Sequence, residues 1–212
     1  MKLNFYIAAA LDDASAAEQL ADALVAQGHA ITFAWWRAPS LRDVDPTGLW
    51  REFRERANTE VTAVRRADLV IAILPGGVGT HVEIGVALGA GKPVILLDAP
   101  DLIGRPTDGG RAYPCAFHFA DGVTRCRIIG QGDVVVWARA CLNVLPLEDE
   151  VWQHHARGTK YVIKEISRIQ AHHAGAIADD AVMVTYESHD LARTRWTRAL
   201  GEFTARFTRI VR

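Results

Sequence analysis

Glu83 stands three residues after Thr80 and directly behind the run Pro75-Gly76-Gly77-Val78-Gly79, a pairing of carboxylate and glycine loop that can do chemistry. The apolar run Leu69 to Leu74 reads as a strand buried on both faces, the habit of parallel sheets covered by helices. Pro75, Gly76, Gly77 and Gly79 cannot extend it, and the glycines let backbone N–H groups approach a ligand closely. With Thr80 as N-cap, Glu83 falls in the first turn of the next helix, where the dipole and hydrogen bonding favour the ionised carboxylate. Such a carboxylate can attack, or stabilise, an oxocarbenium-like sugar carbon. The same Thr80-His81-Val82-Glu83 spacing is also a capping box, in which Glu83 merely returns to the Thr80 backbone N–H. Sequence physics leaves both readings open.

A departing group needs a proton, so a second acid is sought. Glu60 lies on the preceding helix, eight residues before Asp68, and pattern alone reads it as a solvated helix charge. Asp12 and Asp13 follow the first strand and open on the same sheet edge, although loop acids usually form turns. Trp35 and Trp36 end the second strand, where an aromatic face can stack on a planar base or simply pack. Arg37 and Arg42 have the charge to meet a phosphate, but loop arginines of this kind are usually solvated. His81 is expected to be exposed. The adjacent pairs His154-His155 and His172-His173 point in different directions on either helix or strand, so no metal site is expected from them.

The elements that must hold these residues alternate. Leu3 to Ala9 is the first strand, Ser15 to Gln27 a helix closed by Gly28, Ile31 to Trp35 the second strand, and Leu49 to Arg66 a charged amphipathic helix. The long loop Trp36 to Gly48 between them has the length of a lid. The central helix, with Ile84, Ala87 and Leu88 inward, ends at Gly91, and Pro93 to Leu97 is the fourth strand. Asp98 to Pro114 is a Gly/Pro/Asp-rich connection. Thr124 to Ile129 follows as a fifth strand and Asp133 to Leu145 as a closing helix, with Val135, Trp137, Ala138 and Leu142 inward. This predicts an α/β, doubly wound, Rossmann-like and mainly parallel five-stranded sheet, with ligands outside the carboxyl ends of its strands. Pro146 and Glu148-Asp149-Glu150 break the pattern and divide the chain into 1–147 and 148–212. The second part mixes strand-like runs at Thr159 to Ile169 and Ala181 to Tyr186 with an aromatic, basic stretch at Thr194 to Phe207. It reads as a small β-rich module of two or three strands that needs its neighbour to complete a core.

Among the 212 residues, 24 basic against 25 acidic side chains leave a formal charge of -1, so no sequence-wide case exists for nucleic acid or membrane binding. No apolar stretch reaches the ~18 residues of a membrane span. Cys115, Cys126 and Cys141 are odd in number and lack C-x-x-C spacing, which argues against a disulfide framework or structural zinc and for a reducing, cytoplasmic compartment. The partner expected is a small molecule.

Ala67-Asp68-Leu69-Val70-Ile71-Ala72, Gly79-Thr80-His81-Val82-Glu83-Ile84-Gly85-Val86-Ala87 and Gly91-Lys92-Pro93-Val94-Ile95 together resemble the nucleoside 2-deoxyribosyltransferase family. The opening Phe5-Tyr6-Ile7-Ala8-Ala9-Ala10, Gly28-His29-Ala30-Ile31-Thr32 and the pair Trp35-Trp36 extend the likeness over about residues 2 to 145. The resemblance implies that Glu83 is a nucleophile attacking C1′ of a (deoxy)nucleoside or its 5′-monophosphate. It implies that Glu60, matching by spacing an acid that is usually Asp, assists the departing base. Gly76, Gly77, Gly79, Thr80, Asp12, Trp35, Trp36 and Arg37 would surround the substrate. It also implies transfer of the sugar to another base or to water, no cofactor or metal, and a homodimer or higher homo-oligomer whose neighbouring subunit completes each site. Pro75-Gly76-Gly77-Val78-Gly79-Thr80-His81-Val82-Glu83 is also similar to the PGGxGTxxE motif of lonely-guy type nucleoside-monophosphate phosphoribohydrolases. A non-catalytic nucleotide-binding sensor, in which Glu83 is only a cap, is the alternative from another class. The segment from Val151 to Phe207 resembles a small uncharacterised bacterial and phage domain of β-barrel type, which implies no activity.

Overall fold

The computed structural model describes residues 2–39, 48–98, 114–127, 138, 141–142, 145–168, 181–189 and 193–210. Five strands form an all-parallel sheet: β1 (Asn4–Ala8), β2 (Ala30–Ile31), β3 (Leu69–Ile73), β4 (Val94–Asp98) and β5 (Val123–Arg127). Their order is β2-β1-β3-β4-β5. Helices α1 (Ala14–Ala26), α2 (Leu49–Arg66) and α3 (Val78–Gly89) alternate with the first four strands. The expected doubly wound α/β architecture is the observed one.

Burial explains the arrangement. All of β3 is buried, and Phe5, Tyr6, Ile7 and Ala8 of β1 are fully so. β1 aligns Phe5 with Leu69 and Ala8 with Ala72, while β4 aligns Val94 with Val70 on the other side. Each large apolar side chain removed from water here contributes about 1.5–3 kcal/mol, which is why near-continuous Val/Ile/Leu runs form the middle of the sheet. α1 buries Ala17, Leu20, Ala21 and Leu24 at helical spacing, and α3 buries Ile84 and Ala87. The sheet order reverses direction between β1 and β3, and the crevice at the carboxyl ends of those two strands is where such sheets take ligands.

The second strand is shorter than expected. β2 ends at Ile31, and Trp35 to Arg37 form a 3-10 turn instead. Trp35 is buried and its indole N–H donates to the Ile7 carbonyl at 2.7 Å, so the chain folds over the end of β1 rather than extending the ladder. The fifth strand begins at Val123, one residue before its expected start, and residues 128–129 lie outside the described residues. So do most of the expected lid (40–47, with Arg42), most of the connection Asp98 to Pro114, and His172-His173. Of the expected closing helix, Ala138, Cys141 and Leu142 are described as helical, with Ala138 and Cys141 fully buried.

A second sheet follows, antiparallel and in the order β10-β6-β7-β8-β9. Its strands are β6 (Val151–His154), β7 (Lys160–Arg168), β8 (Val182–Ser188), β9 (Arg195–Ala199) and β10 (Phe207–Arg209), with helix α4 (Leu200–Arg206) between the last two. Five strands replace the two or three expected, because β6, β9 and β10 are too short to show alternation and the aromatic stretch divides into strand, helix and strand. Among the described residues no pairing of β9 with β10 closes this sheet. Trp152, Tyr161, Tyr186, Phe203 and Phe207 form its core, and the Phe203 and Phe207 rings stack 4.3 Å apart. We propose the division at 147/148 as the domain boundary; the change from parallel to antiparallel sheet between β5 and β6 supports it.

The two sheets are tied at the amino end of β3. Buried Asp68 accepts the Asn4 backbone N–H at 2.6 Å and pairs with Arg168, whose guanidinium also donates to the Lys2 carbonyl at 2.9 Å. Removing one partner of a buried pair strands the other charge. Arg168→Ala is therefore expected to lower stability by about 2 kcal/mol, after allowance for screening at the partly exposed guanidinium. Thermal unfolding reads it, and an unchanged midpoint would show that the pair carries no net stability.

Candidate functional site

The glycine loop links β3 to α3, and one residue in it fixes its shape. Gly76 has φ +64°, and a Cβ there would lie 2.7 Å from Thr80 Cγ2, so neither conformation nor space admits a side chain. Gly77 is the N-cap of α3, and its N–H donates to Thr80 Oγ1 at 3.0 Å. Thr80 is thus buried inside the first turn, bracing the loop, and is not the N-cap that its type suggests. Gly79 lies in the first turn of α3 rather than in the loop, and α3 ends at Gly89, with Gly91 two residues beyond at φ +66°.

Because α3 starts at Val78, Glu83 belongs to its second turn, and the capping-box reading of Glu83 falls. Its carboxylate instead accepts a hydrogen bond from the Tyr6 hydroxyl on β1. Burial pushes the Glu83 carboxyl up to about 8; the Tyr6 hydrogen bond opposes this and the nearby charge of Glu60 adds to it. The expected ionisation at neutral pH through the helix dipole is corrected: desolvation outweighs a dipole effect that fades beyond the first turn. Burial, and then Glu83 itself, hold the Tyr6 phenol in its protonated form, so Tyr6 is a donor to Glu83.

Glu60 reaches this site. It is half-buried on α2, its carboxyl is raised by burial and lowered by Arg56, and its charge is felt by both Glu83 and Tyr6. The solvated-charge reading from pattern alone does not hold, because α2 packs across β1 and α3 and turns this position inward. The structure therefore brings together Glu83, Glu60, Tyr6, Gly76, Gly77 and Thr80.

The remaining expected residues stand elsewhere. Asp12 is exposed on the 3-10 turn Leu11–Asp13 after β1, at the same carboxyl edge of the sheet. Trp35 is a core residue, and Trp36 packs edge-on against it with rings 5.5 Å apart. The buried Trp36 indole N–H has no partner among the described residues. Arg37 is exposed and engaged with Glu18 at 2.8 Å and Asp22 at 3.4 Å, a surface pairing with no role in this constellation. His81, expected to be exposed, is half-buried, with Nδ1 2.8 Å from the Gly77 carbonyl and Nε2 3.1 Å from Nε2 of buried His118. Sequence reading missed Tyr6 and His118. Tyr6 carried a signal, a lone hydroxyl inside an otherwise apolar central strand, whereas His118 sits in a segment with no periodic pattern.

Fold and site together define a doubly wound parallel α/β protein with a buried carboxylate beside a glycine loop at the carboxyl edge of its sheet. Among protein families, the model for nucleoside 2-deoxyribosyltransferase matches residues 5–109, which include most of β1, all of β2 to β4, Glu60 and Glu83. The resemblance seen in the sequence is therefore real over that segment. No curated protein matches the chain. Among solved structures, the chain is similar to the CMP N-glycosidase of Clostridium botulinum, with 22% identity over 67% of this chain and 99% of that one and a TM-score of 0.45.

Proposed function

We propose that this chain cleaves the N-glycosidic bond of a (deoxy)nucleoside or its 5′-monophosphate. The observation that carries the reading is Glu83: a buried carboxylate held by Tyr6, beside a second carboxylate, inside the segment that matches the nucleoside 2-deoxyribosyltransferase family. In this reading a Glu83 oxygen attacks C1′, the C1′–N bond breaks, and its electron pair leaves with the base, which takes a proton from Glu60. Glu60 is placed for that proton because it is half-buried and its charge reaches Glu83, and burial shifts its carboxyl upward from the ordinary value against the pull of Arg56. The sugar is then an ester on Glu83. A second base or a water attacks C1′ on the opposite face, Glu60 takes its proton, and two inversions give net retention. Gly76, Gly77 and Thr80 shape the wall against which the sugar rests. A homo-oligomer belongs to the same proposal, with exposed Trp50 and Phe53 of α2 and Val78 and Val82 of α3 as apolar surface for it.

The experiment is chromatography of free base after incubation with ribo- and deoxyribonucleosides and their 5′-monophosphates, each with and without a second base. Base release is expected. Acceptor dependence distinguishes transfer from hydrolysis, and a requirement for the 5′-phosphate would favour phosphoribohydrolase chemistry. Binding without cleavage anywhere in the panel would overturn the reading in favour of a sensor, for which a neutral, hydrogen-bonding Glu83 is itself suited.

The pH dependence has a definite sign. Attack requires the ionised carboxylate, and Glu83 holds its proton up to about pH 8. In chelator-treated buffer kcat/KM for a base good enough to leave without a proton from Glu60 should rise with pH through that region and level off above it. Tyr6→Phe removes a hydrogen bond that favours the ionised form, so its rising limb should move to higher pH. A profile flat from pH 6 to 9, in wild type and variant alike, would exclude Glu83 ionisation as the controlling event.

A further inference from the structure

We propose that His81, His118 and Cys115 form a divalent transition-metal site of the zinc class beside the glycine loop. They come from two segments: His81 from the first turn of α3, Cys115 and His118 from the 3-10 turn Ala116–Phe119 and the residue before it. One ligand atom from each lies within 4.8 Å of the other two. The imidazole rings stack with centroids 5.2 Å apart, and their Nε2 atoms are 3.1 Å apart. Two zinc–nitrogen bonds of ~2.05 Å at a tetrahedral angle place the nitrogens about 3.3 Å apart, so the observed pair already has the spacing of two ligands on one ion.

Orientation supports the assignment. His81 Nδ1–H donates to the Gly77 carbonyl at 2.8 Å, which leaves Nε2 with its lone pair toward His118. A backbone partner of this kind on the far nitrogen is the usual support for a ligating histidine. His118 accepts the Cys115 N–H at Nδ1 over a long 3.3 Å, and its Nε2–H is shared with His81. On binding, the cation takes the place of that shared proton. The proton moves to Nδ1 of His118, the 3.3 Å contact is given up as Cys115 turns its Sγ onto the ion, and the thiol proton passes to solvent. The balance is one proton released per cation bound.

Two imidazoles and one thiolate suit zinc and its neighbours and exclude magnesium or calcium, which take oxygen donors. Three protein ligands leave a fourth position for water. The ion would clamp the segment before β5 to the start of α3 and, through His81, fix the Gly77 carbonyl. It would also place positive charge two residues from Glu83, which is why the pH profile above is read on metal-free protein.

The test titrates cobalt(II), as a spectroscopic stand-in for zinc, into tag-free full-length protein freed of metal by chelator. One equivalent should give tetrahedral ligand-field bands together with a thiolate charge-transfer band, and zinc should displace it. Cys115→Ser should lose the thiolate band, and Cys115→Ser or His118→Asn should weaken binding by about 100-fold or more. No thiolate band in wild type, or a band that survives Cys115→Ser through Cys126 or Cys141, overturns the proposal. Should either variant fail to fold, alkylation of the wild type decides: zinc must protect Cys115 from iodoacetamide, mapped by peptide mass, and equal labelling with and without zinc sinks the site.

Discussion

Glu83→Gln should abolish base release while leaving nucleoside binding near its wild-type strength. The substitution keeps the shape and the hydrogen-bond acceptor offered to the Tyr6 hydroxyl, and it deletes only the capacity to bond covalently to C1′. Loss of a covalent nucleophile from a preorganised site costs on the order of 10⁴-fold or more in kcat, with the residual rate coming from the rest of the site. Because Glu83 is already protonated through much of the neutral range, the glutamine is close to its resting state in charge as well as size. The folded protein should therefore tolerate it, and ligand binding followed by calorimetry should survive. A variant that still releases base at a tenth of the wild-type rate would remove Glu83 from the chemistry. Glu60→Gln is the companion measurement. It should slow release of poor leaving bases more than good ones, since protonation matters most where the departing nitrogen is most basic.

Gly201→Ala is expected to be the most destabilising single methyl in the described part of the chain. A Cβ built at Gly201 would stand 2.0 Å from the Gly91 carbonyl oxygen and 3.3 Å from Pro93 Cδ. Both are fixed parts of the turn from α3 into β4, so neither a rotamer change nor a flexible side chain can make room. The first turn of α4 must then separate from that turn, and with it the packing between antiparallel and parallel sheets. Overpacking of this kind costs about 3 kcal/mol or more, which for a chain of this size lowers the unfolding midpoint by roughly 10 °C. Gly79→Ala and Gly85→Ala are the controls, because a Cβ at either position meets nothing within 4 Å. If Gly201→Ala unfolds with the wild-type midpoint while the controls do the same, the two sheets do not pack as a unit. If it unfolds in two separated transitions, the sheets are independent once this contact is lost.

The sequence by itself determined the parallel sheet, because long buried Val/Ile/Leu runs alternating with amphipathic helices admit few other packings. It also determined that Pro75 to Gly79 must break β3 and that Glu83 lies close behind, since glycine and proline act locally. Tertiary structure decided what Glu83 does. Thr80 looked like a cap and proved to be a brace, and the partner of Glu83 turned out to be a tyrosine on β1, a contact between residues far apart in the chain. The same is true of the ionisation of Glu83, which follows from burial and not from helix position. Glu60 had the right spacing, but only the crossing of α2 over β1 and α3 turns it toward the site. Trp35 and Arg37 were legible as residue types and not as roles, because an indole can stack on a base or bond to the Ile7 carbonyl, and an arginine can meet a phosphate or Glu18. Local chemistry is written in residue types and their spacing. Which groups share a low-dielectric space is set by how distant segments pack, and His81, Cys115 and His118 meet only for that reason.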